Sequence, residues 1–356
     1  MRDESFQFLQ ALLAAPSPSG YEQPAQRVFR DYIATFAQVS TDVLGNVAGF
    51  VAGAHSELPT VMLIGHSDEI GFQVKYIDDN GFIYFGAIGG VDPHLTPGKR
   101  VKIHTRTGAL TGVIGKKPIH LMLEEERKSV VKLDAQYIDI GASSKQEALQ
   151  RVRIGDPVTF AVELQQLLGD RVTSRGFDDK AGSFVVAEVL RQVAAADEKP
   201  PVNLYGVSSV QEEVGLRGGT TSSYSIKPDV GICVEVDFCT DQPDVEKKHN
   251  GEVGLGKGPI VPRGANINPA LFELLATTAE QEKIPLQFTG IPRASGTDAN
   301  VMQISRGGVA TALVKVPLRY MHTPVEVISL ADLESCAQLI VAAIYRIKGK
   351  EAFIPN

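Results

Sequence analysis

The chain has 356 residues, which is too long for one ordinary core and predicts about two domains. Lysine and arginine together number 35 against 42 acidic residues, a net charge of −7, so we expect neither nucleic-acid binding nor attachment to an anionic membrane. No apolar run approaches the roughly 18 residues of a membrane-spanning helix, and residues 1–4 do not begin a signal peptide. We therefore predict a soluble, cytoplasmic protein.

The cysteine content limits the kinds of site that the chain can build. The three cysteines, Cys233, Cys239 and Cys336, are an odd number and form no CxxC pair. This pattern argues against a disulfide framework and against a zinc–thiolate site. Any bound metal would have histidine and carboxylate ligands.

The N-terminal part of the chain predicts two helices followed by strands. Residues 4–15 and 23–37 have helical character, and the second stretch places its apolar residues on one face. Residues 42–51 alternate as in a strand, and residues 60–64 form a continuous apolar run, as expected for a central strand covered on both faces. That strand leads directly into the segment Gly-His-Ser-Asp-Glu-Ile-Gly at 65–71.

After residue 71 the pattern changes for nearly a hundred residues. Short β-like segments are separated by turns such as Asp79-Asn80-Gly81, and crossover helices are missing from the pattern. We predict that 71–164 is an inserted small all-β domain, a β-barrel or PDZ-like unit, and that 1–70 and 165–356 form one discontinuous catalytic domain. The predicted strands of the insertion are 72–77, 82–85, 100–104, 109–112, 137–140 and 157–160.

An alternation of strands and helices returns from about residue 171. It predicts an α/β fold with a mostly parallel mixed sheet and helices on both faces. In such sheets ligands bind at the carboxyl ends of the strands. The segment 237–264 is a long loop without an assigned role. The predicted helices are 181–195, 269–283 and 330–347, and the predicted strands are 202–210, 230–236, 286–289 and 309–316.

Charged side chains follow several of these strands or precede a helix, so one edge of the sheet could collect them. Two histidines and four carboxylates would form a mixed nitrogen and oxygen set suited to zinc, cobalt or manganese. Each group also has an ordinary explanation when taken alone, such as a helix cap, a structural histidine or a solvated loop. The residues are His66, Asp178, Glu212, Glu213, Glu235 and His322.

Five motifs in the same order resemble the M42 family of metalloaminopeptidases, and the resemblance spans nearly the whole chain. The family includes tetrahedral and glutamyl aminopeptidases. Segments 112–120 and 137–141 resemble the inserted domain of that family. The five motifs are Gly-His-Ser-Asp-Glu-Ile-Gly (65–71), Phe-Asp-Asp-Lys-Ala-Gly (177–182), Gln-Glu-Glu-Val-Gly-Leu-Arg-Gly (211–218), Gly-Thr-Asp (296–298) and Arg-Tyr-Met-His-Thr-Pro-Val-Glu (319–326).

The resemblance implies a site with two divalent metal ions per subunit, zinc or cobalt. Asp178 would bridge the two ions. His66 and Glu235 would complete one coordination sphere, and Glu213 and His322 the other.

The resemblance also implies roles for residues around the metals. Glu212 would be the general base for a water activated by the dinuclear centre. Asp68 would hold the His66 imidazole and fix its tautomer, and Asp179 would lie outside the ligands. The peptide bond between Asp178 and Asp179 is predicted to be cis.

The implied activity is an aminopeptidase acting on peptides with a free N-terminus. The implied assembly is a homo-oligomer, possibly a dodecamer. Two other functions remain open: a glycoside hydrolase using the paired carboxylates, and a non-catalytic metal-binding scaffold.

Four weaker assignments also remain open. Where the family commonly has aspartate, this chain has Glu235, and Asp237 is a rival ligand with the same strand parity. His120 lies either near the active site or in a structural hydrogen bond. Thr297 and Asp298 either line the substrate pocket or cap a helix.

Overall fold

The computed structural model describes residues 1–355 of the chain as an α/β domain carrying a small barrel. The strands, in chain order, are β1 (Gln38–Thr41), β2 (Val47–Val51), β3 (Thr60–His66), β4 (Gly71–Ile77), β5 (Ile83–Ile88), β6 (Arg100–Thr105), β7 (Gly108–Gly115), β8 (Tyr137–Asp139), β9 (Pro157–Phe160), β10 (Gln165–Gln166), β11 (Arg171–Ser174), β12 (Asn203–Ser209), β13 (Val230–Phe238), β14 (Ile260–Gly264), β15 (Gln287–Ile291), β16 (Ala310–Leu318) and β17 (Glu326–Ser329). The α-helices are α1 (Asp3–Ala14), α2 (Gln23–Ile33), α3 (Glu124–Arg127), α4 (Lys145–Leu149), α5 (Phe177–Ala194), α6 (Arg217–Ile226), α7 (Lys247–Asn250), α8 (Pro269–Glu282), α9 (Asp298–Gln303) and α10 (Leu330–Ile344).

The core of the larger domain is an eight-stranded mixed sheet with the order β1-β2-β12-β3-β13-β16-β14-β15. Its four central strands, β12, β3, β13 and β16, run parallel to their neighbours within that group. Strand β3 is buried along almost its whole length, which explains its unbroken apolar sequence. The predicted α/β class with a mostly parallel mixed sheet is confirmed.

Helix α5 crosses the centre of this sheet and is itself almost completely buried. It packs on β3, β12 and β13 on one side and on α1, α2 and α10 on the other. Phe184, Val186 and Leu190 lie in the shared core. Asp178 and Asp179 lie in the first turn of the helix, where the backbone departs from helical geometry.

The insertion forms a closed antiparallel barrel of six strands with the order β4-β5-β8-β7-β6-β9. Strand β6 alternates exposed and buried residues, with Val101 and Ile103 directed inward, as the wall of a barrel requires. The barrel has its own apolar core, which includes Phe72, Phe85 and Phe160. The predicted small all-β unit is therefore present, whereas the boundaries at 71 and 164 stay predictions.

Several parts of the fold differ from the sequence prediction. Only the second half of the predicted strand 42–51 is a strand, β2, whereas residues 42–46 form a turn that joins β1 to β2, because the Asp42 side chain accepts the backbone N–H groups of residues 44–46. Helix α6 was not predicted, since its glycines and its serine and threonine residues have low helix propensity. Strand β14 lies within the segment that was predicted to be a long loop.

Within residues 1–355, none of the helices combines the length and the apolar character needed to cross a membrane.

Candidate metal and active site

The carboxyl ends of the central strands bring the predicted residues to one cleft of about 480 Å³. His66 is the last residue of β3, and Glu212 and Glu213 follow the end of the neighbouring strand β12. Glu235 lies inside β13, which continues to Phe238 instead of ending at residue 236. All four residues line the cleft, as do Asp178 at the start of α5 and His322 after β16.

Asp178 lies between the two histidines and faces each of them with a different oxygen. Its Oδ1 lies 3.2 Å from Nε2 of His66, and its Oδ2 lies 3.3 Å from Nε2 of His322. A carboxylate in this position can bind one cation on each side. This is the geometry that a bridging ligand requires.

The remaining acids divide between the two histidines. Glu235 Oε1 lies 3.7 Å from His66 Nε2, and Glu213 Oε1 lies 3.4 Å from His322 Nε2. Glu212 Oε2 lies 3.8 Å from His66 Nε2. We call the His66 and Glu235 pair the strand half of the site, and the Glu213 and His322 pair the loop half.

Asp237 is engaged elsewhere, which favours Glu235 as the ligand. Its Oδ2 lies 3.1 Å from Nζ of Lys315, and its Oδ1 accepts the backbone N–H of Phe238 at 2.9 Å. Lys315 is almost completely buried on the adjacent strand. The ion pair therefore holds the Asp237 carboxylate away from His66.

Asp179 is fully buried beside the predicted ligands, and its peptide bond to Asp178 is cis, as predicted. Its Oδ2 accepts the backbone N–H of His66 at 3.1 Å, and its Oδ1 accepts the backbone N–H of Gly182 at 2.9 Å. Asp179 lies close enough to His66 and Glu235 to complete a three-ligand group with them. Because both oxygens already accept N–H groups, the geometry favours a role outside the ligand set.

Asp68 is also fully buried, and it contacts more of the site than the sequence predicted. His66 Nδ1 lies 3.0 Å from the backbone oxygen of Asp68 and 3.4 Å from its Oδ1. The same carboxylate accepts the backbone N–H groups of Glu212 at 2.9 Å and Glu213 at 3.1 Å, and the hydroxyl of Ser19 at 2.7 Å. Asp68 thus holds the histidine and the adjacent acidic loop in one arrangement.

The comparisons with known proteins agree with this arrangement. The family model described as M42 glutamyl aminopeptidase matches residues 45–339. The lysyl aminopeptidase of Pyrococcus furiosus is 37% identical over 347 residues, which cover 96% of this chain and 97% of the relative.

The chain belongs to the M42 glutamyl aminopeptidase family.

Solved structures of M42 relatives share the fold over almost their whole length. The TET aminopeptidase of a marine Thaumarchaeota archaeon superimposes with a TM-score of 0.94 at 33% identity and 99% coverage of both chains. The TET1 peptidase of Pyrococcus horikoshii, which can assemble into a tetrahedron or a large octahedral shell, has a TM-score of 0.85 at 31% identity and covers 96% of this chain and all of its own. A second structure, described as a dodecamer of PhTET1, has the same TM-score and identity, covering 98% of this chain.

One further structure with the same fold carries a different description. A Thermotoga maritima protein described as an endoglucanase has a TM-score of 0.78 at 30% identity, over 97% of this chain and 99% of its own. The family as a whole consists of dinuclear metallopeptidases, and this chain is an aminopeptidase of that family.

The charges of the site fit the divalent metals that the M42 family implies. Burial raises the pKa of Glu212 to about 9 and that of Glu235 to about 8, and neighbouring carboxylates add to both shifts. The adjacent carboxylates of Asp178 and Glu213 raise the pKa of His322 to about 11. Acids packed this closely ionise together only when positive charge lies among them.

One buried atom provides separate evidence that the residues of the site suit a bound metal. Oε1 of Glu213 is shielded from solvent and makes no hydrogen bond to the rest of residues 1–355. Buried carboxylate oxygens are normally hydrogen-bonded or coordinate a metal. An unpaired oxygen beside His322 Nε2, in a set of imidazole and carboxylate donors, suits zinc or cobalt.

Two backbone features around the loop half were not recognised in the sequence. His322 Nδ1 lies 2.9 Å from the backbone oxygen of Gly90, which follows barrel strand β5. A Cβ atom at Gly90 would lie 2.9 Å from that same Nδ1, and one at Gly89 would lie 3.0 Å from Oε2 of Glu213. Because neither glycine has a side chain, the barrel can approach the predicted ligands closely. In the sequence, the sign of this contact is that both positions are glycine.

Glu326 was also not assigned a role, although it is the last residue of the motif 319–326. It is buried, and its carboxylate accepts backbone N–H groups from two residues of the site.

Thr297, Asp298 and His120, whose roles the sequence left open, lie in different places in the structure. Thr297 lines the cleft beside Ser295 and Gly296, whereas Asp298 is buried behind it and accepts the Ser209 hydroxyl at 2.6 Å. His120 lies in an exposed turn of the barrel and does not line the cleft of this single chain.

Proposed function

We propose that the chain removes N-terminal residues from peptides with two divalent metal ions per subunit, zinc or cobalt. His66, Asp178 and Glu235 would hold one ion, and Asp178, Glu213 and His322 the other. The observation that supports this most directly is the position of Asp178, which faces the two histidines with opposite oxygens.

Bound metals of this kind polarise the scissile carbonyl and lower the pKa of the attacking water. We assign the acceptance of that water's proton to Glu212, because it lines the cleft within 3.8 Å of His66 Nε2 and, within residues 1–355, no lysine or arginine pairs with its carboxylate. It would then donate the proton to the leaving amine. No covalent intermediate with the protein is required.

Asp68 supports this chemistry by holding the backbone of the proton acceptor. Its Oδ1 accepts the N–H of Glu212, so a shift of the Glu212 backbone would break a partly buried hydrogen bond. The contact of Asp68 with His66 Nδ1 leaves Nε2 as the nitrogen that faces the cleft.

The cleft suits a substrate with a free α-ammonium group. Two divalent ions would offset the charges of Asp178, Glu213 and Glu235, so the Glu212 carboxylate, which also lines the cleft, is the group left to attract a cation in a partly desolvated space. A peptide with a blocked N-terminus would lose this interaction.

We further propose that the chain forms a homo-oligomer, possibly a dodecamer. The proposal is supported by the assemblies of the related TET1 peptidase, a tetrahedron, an octahedral shell and a dodecamer.

A second candidate function is glycoside hydrolysis. The Thermotoga maritima relative described as an endoglucanase is the observation that favours it. A glycosidase pair of carboxylates would leave His66 and His322 without a chemical task, although both contact Asp178. A non-catalytic scaffold is disfavoured by Glu212, because a protein that only binds metal has no use for a proton acceptor beside the proposed ligands.

The discriminating experiment is hydrolysis of a panel of aminoacyl-p-nitroanilides by the protein as purified, after chelation, and after zinc or cobalt is restored. We expect cleavage that chelation abolishes and metal restores, with N-acetylated substrates as the matched negative control. A soluble β-glucan is tested in parallel. Failure of the metal-replete protein to cleave any unblocked substrate would contradict the peptidase function, and β-glucan hydrolysis that survives chelation would establish the alternative.

A further inference from the structure

Three buried carboxylates surround the proposed ligands, and each accepts backbone N–H groups from residues of the site. Asp68 binds the backbone of Glu212 and Glu213, and Asp179 binds that of His66. Glu326 is the third, and it is the one that neither the sequence nor the proposed function assigns. We propose that Glu326 is a positioning residue that fixes the backbone of Asp178 relative to that of His322; this inference rests on the proposed metal centre.

The contacts of Glu326 link two separate segments of the chain. Its Oε2 accepts the backbone N–H of Asp178 at 3.2 Å, and its Oε1 accepts the backbone N–H of His322 at 3.1 Å. The side chain is 2% exposed, so water does not compete for either oxygen. Because the two oxygens belong to one planar group, the two amides are held at a fixed separation.

The backbone of Glu326 is anchored close to both segments. Glu326 begins strand β17, where it pairs with Ser174 of β11, four residues before Asp178. His322 lies four residues before Glu326 in the turn that leads into the same strand. The Glu326 carboxylate therefore links two segments that both lie next to its own strand, and it does not have to hold a long flexible loop.

Both amides need such an acceptor. Asp178 lies at the start of helix α5, where backbone N–H groups have no partner within the helix. His322 has a φ angle of +59°, a left-handed conformation that is uncommon for residues other than glycine. Without Glu326 both buried N–H groups would lose their acceptor, and the turn that carries His322 would lose the contact that favours its conformation.

The positions of Asp178 and His322 matter because the 3.3 Å contact between them connects Asp178 to the loop half of the site. Glu326 does not line the cleft, and its hydrogen bonds to Asp178 and His322 are to their backbone N–H groups. Its removal should affect the ion at Glu213 and His322 more than the ion at His66 and Glu235. This asymmetry is the specific expectation of the proposal.

The test compares Glu326→Gln with a matched control, Asp332→Asn. Asp332 is 1% exposed, lies six residues further along, and accepts the backbone N–H groups of Gly256 at 2.7 Å and Gly258 at 2.8 Å, away from the cleft. A glutamine offers one acceptor oxygen and turns an NH2 group toward the other amide. Both substitutions therefore remove one buried carboxylate acceptor.

Besides the melting temperature, three readouts of the metal centre are measured on the 356-residue chain: cobalt bound per chain after dialysis, the visible absorption spectrum of the cobalt-substituted protein, and kcat. For Glu326→Gln we expect affinity for the second cobalt ion and kcat each to fall by about 10- to 100-fold, the range typical of residues that orient metal ligands, with an altered cobalt spectrum. For Asp332→Asn we expect a lower melting temperature with unchanged cobalt content, spectrum and kcat.

The proposal is overturned if Glu326→Gln has a lower melting temperature but wild-type cobalt content, spectrum and kcat, since Glu326 would then be structural only. Should Glu326→Gln fail to fold, Glu326→Asp is used, because it keeps the charge but is one methylene too short to reach both amides. The same three readouts then decide, and wild-type values would again overturn the proposal. A wild-type protein that binds no cobalt would contradict the proposed metal centre itself, which is a separate and distinguishable result.

Discussion

The two halves of the site are built from different kinds of structure. His66 and Glu235 of the strand half lie on neighbouring parallel strands of the central sheet, and their side chains are 2% and 7% exposed. Glu213 and His322 of the loop half lie in turns that follow strands, and the His322 side chain is 36% exposed. Asp178 belongs to both halves.

The difference shows how a fold can prepare two adjacent sites to different degrees. A strand inside a packed sheet holds its side chains by the packing of the core. A turn has no such support, so the loop half depends on contacts from elsewhere: the carbonyl of Gly90, the carboxylate of Glu326 and, for Glu213, the carboxylate of Asp68. We therefore expect the strand half to be rigid and the loop half to be sensitive to its neighbours.

The largest expected effect concerns Glu212, which contacts the strand half without being a proposed ligand. Glu212→Gln removes the proton acceptor but keeps the size of the side chain. We expect kcat to fall by about 10²- to 10⁴-fold, the usual contribution of general acid–base catalysis, while both metals remain bound. Metal analysis and steady-state kinetics check this.

Glu212→Asp is the companion variant, and we expect it to retain more activity than Glu212→Gln because it keeps a carboxylate. Loss of metal from Glu212→Gln would contradict the assignment and would indicate that Glu212 is a ligand.

The second prediction concerns the ion pairs that support the core beside the strand half. Glu69 is 3% exposed and binds both Arg175 and Lys180, which flank Asp178 in the sequence. Replacing it by glutamine leaves two buried cations without a counter-charge, so we expect Glu69→Gln to lower the free energy of unfolding at pH 7 by about 3–5 kcal/mol. Urea denaturation measures this.

The pH dependence of the same variant gives a sharper result. Burial alone raises the pKa of Glu69, but the charges of Arg175 and Lys180 outweigh it and lower the pKa to about 2, against an ordinary value of 4.5. The stabilisation is therefore present above about pH 4.5 and is lost as the pH falls toward 2. The stability difference between wild type and Glu69→Gln should shrink over that interval, and a constant difference would contradict the ion-pair explanation.

The third prediction tests the halves directly by removal of metal. We expect a chelator titration to remove the two ions in separate steps, with the ion of the loop half lost at roughly 10- to 100-fold lower chelator concentration, because its ligands depend on surrounding contacts. His322→Ala should remove the first step and leave one ion per chain. A single step for wild type would show that the halves are equivalent.

The smallest effect is expected at the glycine that touches His322. Gly90→Ala would place a Cβ atom 2.9 Å from His322 Nδ1, so the imidazole or the barrel must shift. We expect affinity for the loop-half ion to fall by about 10-fold, with the strand-half ion unaffected. Gly307→Ala is the matched control, since no atom lies within 4 Å of its added Cβ. Equal metal affinity in the two variants would contradict the role of Gly90.

The sequence predicted those parts of the fold that depend on periodic burial. Strand β3 reads as a continuous apolar run, and the barrel reads as short alternating segments, because each pattern follows from which faces are covered. Helix α6 was missed for the opposite reason: Gly218 and Gly219 lower its helix propensity but allow it to pack closely against Asn46 and Asp298. Contacts with the rest of the fold, and not local helix propensity, therefore determine the helical conformation of that segment.

The proposed ligands could be selected from the sequence, but the groups that hold them could not. His66, Asp178 and Glu213 occur at strand ends or a helix start and within recognisable motifs. The role of Glu326 depends on which backbone amides lie near its carboxylate, and a sequence pattern contains no such information. The same holds for Asp68, whose contact with the Glu212 amide joins residues 144 positions apart.

The contact between Gly90 and His322 has a thermodynamic consequence for the barrel. Since the Gly90 carbonyl fixes one nitrogen of a proposed metal ligand, the position of the barrel against the sheet and the occupancy of the loop half are linked equilibria. Linkage is reciprocal, so an ion bound at Glu213 and His322 favours the barrel position in which Gly90 reaches the imidazole. The position of the barrel would then depend on whether the loop-half ion is bound and would not depend on the strand-half ion.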